Sequence, residues 1–339
     1  GDIMFHEVQL KRAYDESRES FDFTGIFRYV DPYIKVSDYT FANLETTLAG
    51  PVGDTSKVGK WNIYGYSGYP RFSSPDQVLD PIQEVGIDFI ATANNHAFDY
   101  GLEGLESTID RLEEEGFNHT GTFKSEERRQ AFVSVEVEGI NFAVLNYTYG
   151  SNIAPVSGSG DGRETDAPIS EREADASDFM KCLNHLDYYD PDRLNQLYQD
   201  IESGEKSDAD YVLVLIHYGE EYQESVDKRY QEPVTYEMIR RGADIVIGSH
   251  PHVLQPIELI TELDGIVFDQ PKLIAYSLGN FIAGQQDIKS FCKNTDLGAV
   301  LNIYFEKEEG KEPFIKGFGI LPVYHLWKED AIVTLPVLK

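Results

Sequence analysis

Cysteine is nearly absent: Cys182 and Cys292 are the only two in 339 residues. Two isolated thiols build neither a disulfide framework nor a thiolate metal site, so the redox compartment is left unconstrained. No apolar run reaches the roughly 18 residues that a membrane-crossing helix needs, and no signal-peptide grammar opens the chain. Basic residues are scarce too. Twenty-nine Lys and Arg stand against 59 Asp and Glu, a formal net charge of −30. That field repels phosphate backbones and anionic headgroups, which argues against nucleic acid and a bare membrane surface as partners. Most of the carboxylates form a solvated surface, so only those at special positions carry information.

Apolar and aromatic residues are plentiful, with 41% hydrophobic residues, 21 Tyr and 19 Phe. This supports a sizeable core and argues against extensive disorder. Length alone leaves one or two domains open. Residues 82–96 and 238–252 repeat one grammar: a helix closes at a Gly, a short apolar strand follows, and polar residues come next. The first runs through Gly86 and Ile87-Asp88-Phe89-Ile90-Ala91 to Asn94-Asn95-His96. The second runs through Gly242 and Ala243-Asp244-Ile245-Val246-Ile247 to His250-Pro251-His252. Gly is the usual helix stop, and alternation of helices with short buried strands predicts an α/β layered fold. Further strands are expected at Asn141 to Asn146, Tyr211 to Ile216, Lys272 to Ser277 and Leu297 to Tyr304, with helices near 103–115, 191–203 and 231–241. Pro81 should make the helix after Ser74-Pro75 kink or begin late. The stretch from about 151 to 180, rich in Ser, Gly, Asp and Pro, reads as a surface excursion. Gly1-Asp2-Ile3-Met4-Phe5 reads as the end of a strand.

Open α/β sheets collect ligands beyond the carboxyl ends of their strands. Five such places hold metal-capable groups: Asp2, Asn43 to Glu45, Asn94 to Asp99, His217 to Glu221, and His250 to His252. Carboxylates, an amide oxygen and imidazoles suit one or two divalent ions, Mn, Zn or Fe. Two close metals clamp a phosphoryl group and supply hydroxide near neutral pH, so the chemistry is expected to be hydrolytic. Gly248-Ser249-His250-Pro251-His252 is the most specific element, since only 8 His occur in the chain and two of them flank a rigid Pro after a buried strand. The competing account is a solvated loop with incidental imidazoles. In Asn94-Asn95-His96, a helix cap would explain the Asn but not the following His with Asp99 three residues on; Asp99 is expected to orient His96. His217 alone is more often structural, and Glu45 and Asp2 alone are ordinary turn formers; their case rests on the set. Tyr64, Tyr66, Tyr69 and Arg71 form a loop that either lines a pocket with an anion-seeking arginine or is an aromatic turn. His6, His119, His185 and His325 read as surface or packing residues. Tyr276 to Phe281 closes a strand and is expected to shape the crevice, with Asn280 and Glu221 as further substrate-facing candidates.

Taken in order, Gly1-Asp2-Ile3-Met4, Asn43-Leu44-Glu45-Thr46, Asn94-Asn95-His96 with Asp99 and Gly101, His217 to Glu221, Gly248 to His252 and Tyr276 to Phe281 resemble the CapA family. These are bacterial capsule-synthesis proteins linked to poly-γ-glutamate, and the match runs from residue 1 to about 285. The resemblance implies a calcineurin-like metallophosphoesterase fold: a four-layer α/β sandwich of two central β-sheets flanked by helices, here one domain over 1–339 with the insertion at about 151–180. It implies that Asp2 is a terminal metal ligand and Glu45 a bridging carboxylate. Asn95, His217 and His250 would hold the second metal, His252 would return to the first, and His96 would protonate the leaving group. Met4 stands where the wider phosphoesterase pattern has His, and Asn43-Leu44-Glu45 replaces its usual aspartate. Family members are typically exported and often anchored by an amino-terminal hydrophobic segment.

Two functions follow. One is a metal-dependent phosphoesterase-like hydrolase of the cell envelope, extracellular or anchored on the outer face of the cytoplasmic membrane, acting on an anionic polymer or phosphoester. The other is a non-catalytic, metal-containing component of a poly-γ-glutamate synthesis and export assembly at the membrane. A chain at −30 repels a polyanion, so polymer binding would need metal ions or a basic patch from Arg71, Arg240 and Arg241.

Overall fold

The computed structural model describes residues 1–51, 62–152, 180–285, 293–328 and 331–337. The excursion expected at about 151–180 therefore lies almost wholly outside the described residues, as does Cys292. In chain order the elements used below are β1 (Asp2–Ile3), α1 (Glu7–Ala13), β2 (Phe41–Leu44), α2 (Leu79–Glu84), β3 (Phe89–Ala91), α3 (Gly101–Glu114) and β4 (Asn118–Thr120). There follow β5 (Val133–Val137), β6 (Ile140–Thr148), α4 (Pro191–Glu205), β7 (Tyr211–His217), α5 (Gln231–Arg240) and β8 (Ile245–Ser249). The last are β9 (Ile257–Leu263), β10 (Ile266–Ala275), β11 (Asn280–Ile282), β12 (Leu297–Glu306), β13 (Phe314–Lys328) and β14 (Ala331–Pro336).

Two main sheets result. The first is wholly parallel in the order β11-β1-β2-β3-β4, and the second runs β9-β10-β8-β7-β6-β5, with a parallel centre and antiparallel edges. A third sheet, β12-β13-β14, is antiparallel.

The central strands are apolar on both faces, as a parallel sheet covered on both sides requires. In β7, Val212, Val214 and Ile216 pack with Leu197 and Ile201 of α4 and Val234 and Met238 of α5. The alternating Tyr211, Leu213 and Leu215 face the other way and meet Phe89 and Ala91 of the first sheet. Ile90 turns from that interlayer towards Leu79 and Ile82 of α2. One strand period thus separates two cores, and the layers read helix, sheet, sheet, helix, the four-layer sandwich expected. Gly86 and Gly242, at φ +92° and +110°, close α2 and α5 in backbone that a side chain would strain. A 3-10 turn, Asp76–Val78, precedes α2, so the α-helix begins late, as Pro81 requires. Among the described residues no helix is long and apolar enough to cross a membrane.

A cavity of about 410 Å³ opens between the layers, lined by residues such as Phe41, Phe142, Leu213, Ile245 and Leu301. None of Asp2, Glu45, His96, His217, His250 or His252 lines it. The polar crevice lies at the carboxyl ends of the parallel strands.

Candidate metal centre

Five parallel strands deliver the polar groups. Asp2 is in β1, Glu45 follows β2, Asn94 to His96 follow β3, His217 ends β7, and His250 follows β8. All are buried, Asp2, Glu45 and His217 completely. Ligand atoms of Asp2, Glu45 and His217 all lie within 4.8 Å of one another, and those of Glu45, His250 and His252 form a second such group. Glu45 belongs to both, the position of a bridging carboxylate. The division implied by the family resemblance put His217 with His250 and Asp2 with His252; the triads pair them the other way. Close contacts cross both divisions, since His252 Nδ1 is 3.5 Å from Asp2 Oδ2 and the His217 and His250 rings are 4.8 Å apart.

The secondary contacts show which nitrogen each imidazole offers. His217 Nδ1 is 2.9 Å from Ser249 Oγ, while Nε2 faces Asn95 Oδ1 at 2.9 Å and Glu45 Oε1 at 3.5 Å. His252 Nδ1 is 3.0 Å from Asn280 Oδ1, leaving Nε2 towards Glu45 Oε1 at 3.7 Å. This is how ligating histidines are held, one nitrogen oriented by a neighbour and the other turned to the ion. Asn43 Nδ2 donates to Asp2 Oδ1 at 2.8 Å, and Asn94 Nδ2 donates to Leu44 O at 2.8 Å. His250 and His252 adopt positive φ, +98° and +57°. Each such residue costs on the order of 1–3 kcal/mol, and the pair falls where two side chains must be aimed inward.

The donor set fits a divalent cation. Both carboxylate oxygens of Glu45 and Nδ1 of His250 are buried without a hydrogen bond. Leaving a carboxylate in that state costs several kcal/mol unless a positive charge meets it. Protons fill part of the role. Burial opposes charge on His252, but Glu45 and Asp2 outweigh it and raise its pKa to about 10. Burial and the neighbouring His217 and His252 hold His250 well below its ordinary value. Asp2 is lowered against its own burial by its hydrogen bond to His252 and by the charges of His217 and His252.

His96 sits beside the cluster. Its Nδ1 is 2.7 Å from Asp99 Oδ2, which also accepts from Phe72 N–H at 2.6 Å. Burial disfavours the imidazolium, yet Asp99 more than compensates and the His96 pKa is raised. Asn152 Nδ2 lies 3.4 Å from His96 Nε2, and its Oδ1 accepts from Asn95 Nδ2 at 3.4 Å.

The remaining candidates spread more widely. Asn280 is fully buried, its amide spent on His252, Gln285 and the Thr295 carbonyl, so it stands behind His252. Glu221 is half-buried and its charge helps raise His252. Arg71 is near enough for its charge to act on Asp99, whereas Tyr69 is 55% exposed. Sequence reasoning placed Asn43 and Asn94 in metal-capable segments without giving either a role of its own, and it did not single out Ser249, Tyr149 or Asn152. Asn43 was legible in principle, because it lies two residues before Glu45 at a strand end and so shares its face. Tyr149, whose ring is 4.6 Å from that of His250, left no comparable signal. Met4 packs with Phe72 and Ala283 and lies outside the donor set.

Residues 1–285 match the family described as bacterial capsule synthesis protein PGA_cap. The capsule biosynthesis protein CapA of Bacillus anthracis is 30% identical over 283 residues, 83% of this chain and 59% of the relative. The PGA biosynthesis protein CapA of Bacillus subtilis (strain 168) is 27% identical over 286 residues, 84% of this chain and 62% of the relative. The chain thus spans about three fifths of the length of these relatives. A crystal structure of the calcineurin-like phosphoesterase YfkN from Bacillus subtilis aligns over 94% of this chain and 87% of its own, at 13% identity and a TM-score of 0.45. Six ordered motifs, a donor cluster at the strand ends and the match over residues 1–285 agree, and the chain belongs to the PGA_cap family of bacterial capsule synthesis proteins.

Proposed function

We propose that this chain is a divalent-metal-dependent phosphoesterase of the bacterial envelope, working in capsule or poly-γ-glutamate synthesis on the outer face of the cytoplasmic membrane. One observation carries the reading: Glu45, at zero exposure, leaves both carboxylate oxygens unbonded at the junction of two ligand triads. Asp2, Glu45, Asn95, His217, His250 and His252 would hold one or two ions, and oxygen and nitrogen donors without thiolate suit Mn, Zn or Fe. Bound there, such ions supply Lewis acidity and a hydroxide equivalent near neutral pH.

The chain's own residues do the rest. His96 donates Nδ1–H to Asp99, so Nε2 is the nitrogen that delivers a proton to a leaving oxygen. Asp99 keeps that proton in place by raising the His96 pKa, and Phe72 N–H fixes Asp99. Asn152 bridges Asn95 and His96, coupling the ligand to the acid. The substrate class is a phosphoester or an anionic polymer delivered by a membrane synthesis complex, and the −30 charge disfavours nucleic acid.

The relatives' names, both biosynthetic, favour a second reading: a metal-containing component of the synthesis and export assembly that cleaves nothing. Elemental analysis of the purified protein, a melting scan with added Mn or Zn, and turnover of aryl phosphate mono- and diesters separate the two. Bound ion, a raised Tm and turnover support the phosphoesterase. A metal-loaded protein that cleaves neither aryl phosphates nor glutamyl polymer gives the second reading precedence.

A further inference from the structure

His6 precedes α1 in sequence and is only 7% exposed. The Gly284 backbone N–H donates to its Nδ1 at 2.9 Å. A nitrogen that accepts has no proton of its own, so the ring is the neutral tautomer with its hydrogen on Nε2. Among the described residues no acceptor takes that hydrogen. Nε2 is not among the described polar atoms buried without a partner, so this N–H keeps access to solvent and is available to a ligand.

The surroundings suggest what meets it. The Phe72 ring is flanked edge-on by His6, with centroids 4.9 Å apart, and by His96 at 4.7 Å. His6 is also near enough to His252 and His96 for both to bear on it electrostatically. It therefore stands beside the proton donor on one hand and a candidate metal ligand on the other, without belonging to either ligand triad. Its position is tightly fixed: a Cβ at Gly284 would collide with His6 Cβ and Cγ, and Gln9 Oε1 accepts the His6 backbone N–H at 3.0 Å.

Building on the phosphoesterase reading, we propose that His6 is a substrate-binding residue whose neutral Nε2–H donates a hydrogen bond to a non-bridging oxygen of the phosphoryl group. A neutral donor suits this place, because it adds no positive charge to a cluster that must attract a cation.

Calorimetric binding of inorganic phosphate to the metal-loaded chain tests the assignment. His6→Phe, which keeps an aromatic edge against Phe72 but takes the acceptor away from Gly284 N–H, is expected to weaken phosphate about 10- to 100-fold with metal content unchanged and Tm lowered. His6→Gln, which keeps a neutral N–H, is expected to recover part of the loss; a role in packing alone would give no such rescue. Unchanged phosphate affinity in His6→Phe overturns the assignment and leaves the phosphoesterase reading standing. Loss of metal in either variant also overturns it, since His6 would then be a ligand. Failure of the metal-loaded wild-type chain to bind phosphate sinks the underlying reading, and this inference with it.

Discussion

Asn95 Oδ1 lies 2.9 Å from His217 Nε2 although 122 residues separate them in sequence. An amide oxygen facing an imidazole nitrogen at that distance, with Glu45 Oε1 at 3.5 Å from the same nitrogen, converges three donors on one point. With an ion present, each would turn its lone pair towards it; without one, His217 donates its proton to the amide.

Asn95→Ala should therefore act twice. In chelator it strands a buried imidazole N–H and lowers stability by about 1–3 kcal/mol. With Mn or Zn it removes a ligand and weakens ion binding at least 10-fold, about 1.4 kcal/mol. Calorimetric titration alongside melting in chelator separates the effects, and unchanged ion affinity would remove Asn95 from the ligand set.

The leaving-group role makes a kinetic prediction. His96→Gln should lower turnover of an aryl phosphoester by about 10²- to 10⁴-fold while metal content stays constant. Asp99→Asn should cost less at low pH and shift the profile. The acid works protonated, so rate falls as pH rises through the His96 pKa. Without the Asp99 carboxylate that pKa drops, and the fall must begin at lower pH. A profile identical to wild type would show that Asp99 does not act through His96.

Local signals explain which features were legible in the sequence. Gly86 and Gly242 mark helix ends, and the apolar run of β7 announces a strand buried on both faces. Each residue proposed as a metal ligand was visible because it lies in or just after such a strand. Pairing was not legible, because β1 is two residues long and sits between β2 and β11, so Asp2 meets Asn280 across nearly the whole chain. The meeting of His217 with Asp2 and Glu45 depends on how the two sheets stack. His6 read as surface or packing because its neighbours in sequence say nothing about His96, His252 or Gly284, which approach from distant segments.

Stability should vary with pH in two opposed ways. His185 and His325 are buried and their pKa values are depressed to about 4, chiefly by burial. The unfolded chain binds their protons near pH 6.5 but the fold refuses them until about 4. Their contribution is complete above about 6.5 and is lost as pH falls to about 4, by up to about 3 kcal/mol each. His252 has the opposite sign. Raised to about 10, it stabilises the metal-free protein fully below about 6.5 and loses that contribution as pH rises towards 10. In chelator, Tm is expected to peak near pH 6.5 and decline on both sides. A bound divalent ion supplies the charge that the His252 proton supplied, so adding Mn or Zn should flatten the alkaline limb and leave the acid limb between 6.5 and 4 in place. His325→Gln should flatten the acid limb instead. An alkaline limb of equal slope with and without metal would mean that ion binding does not displace the His252 proton, and that His252 lies outside the coordination sphere.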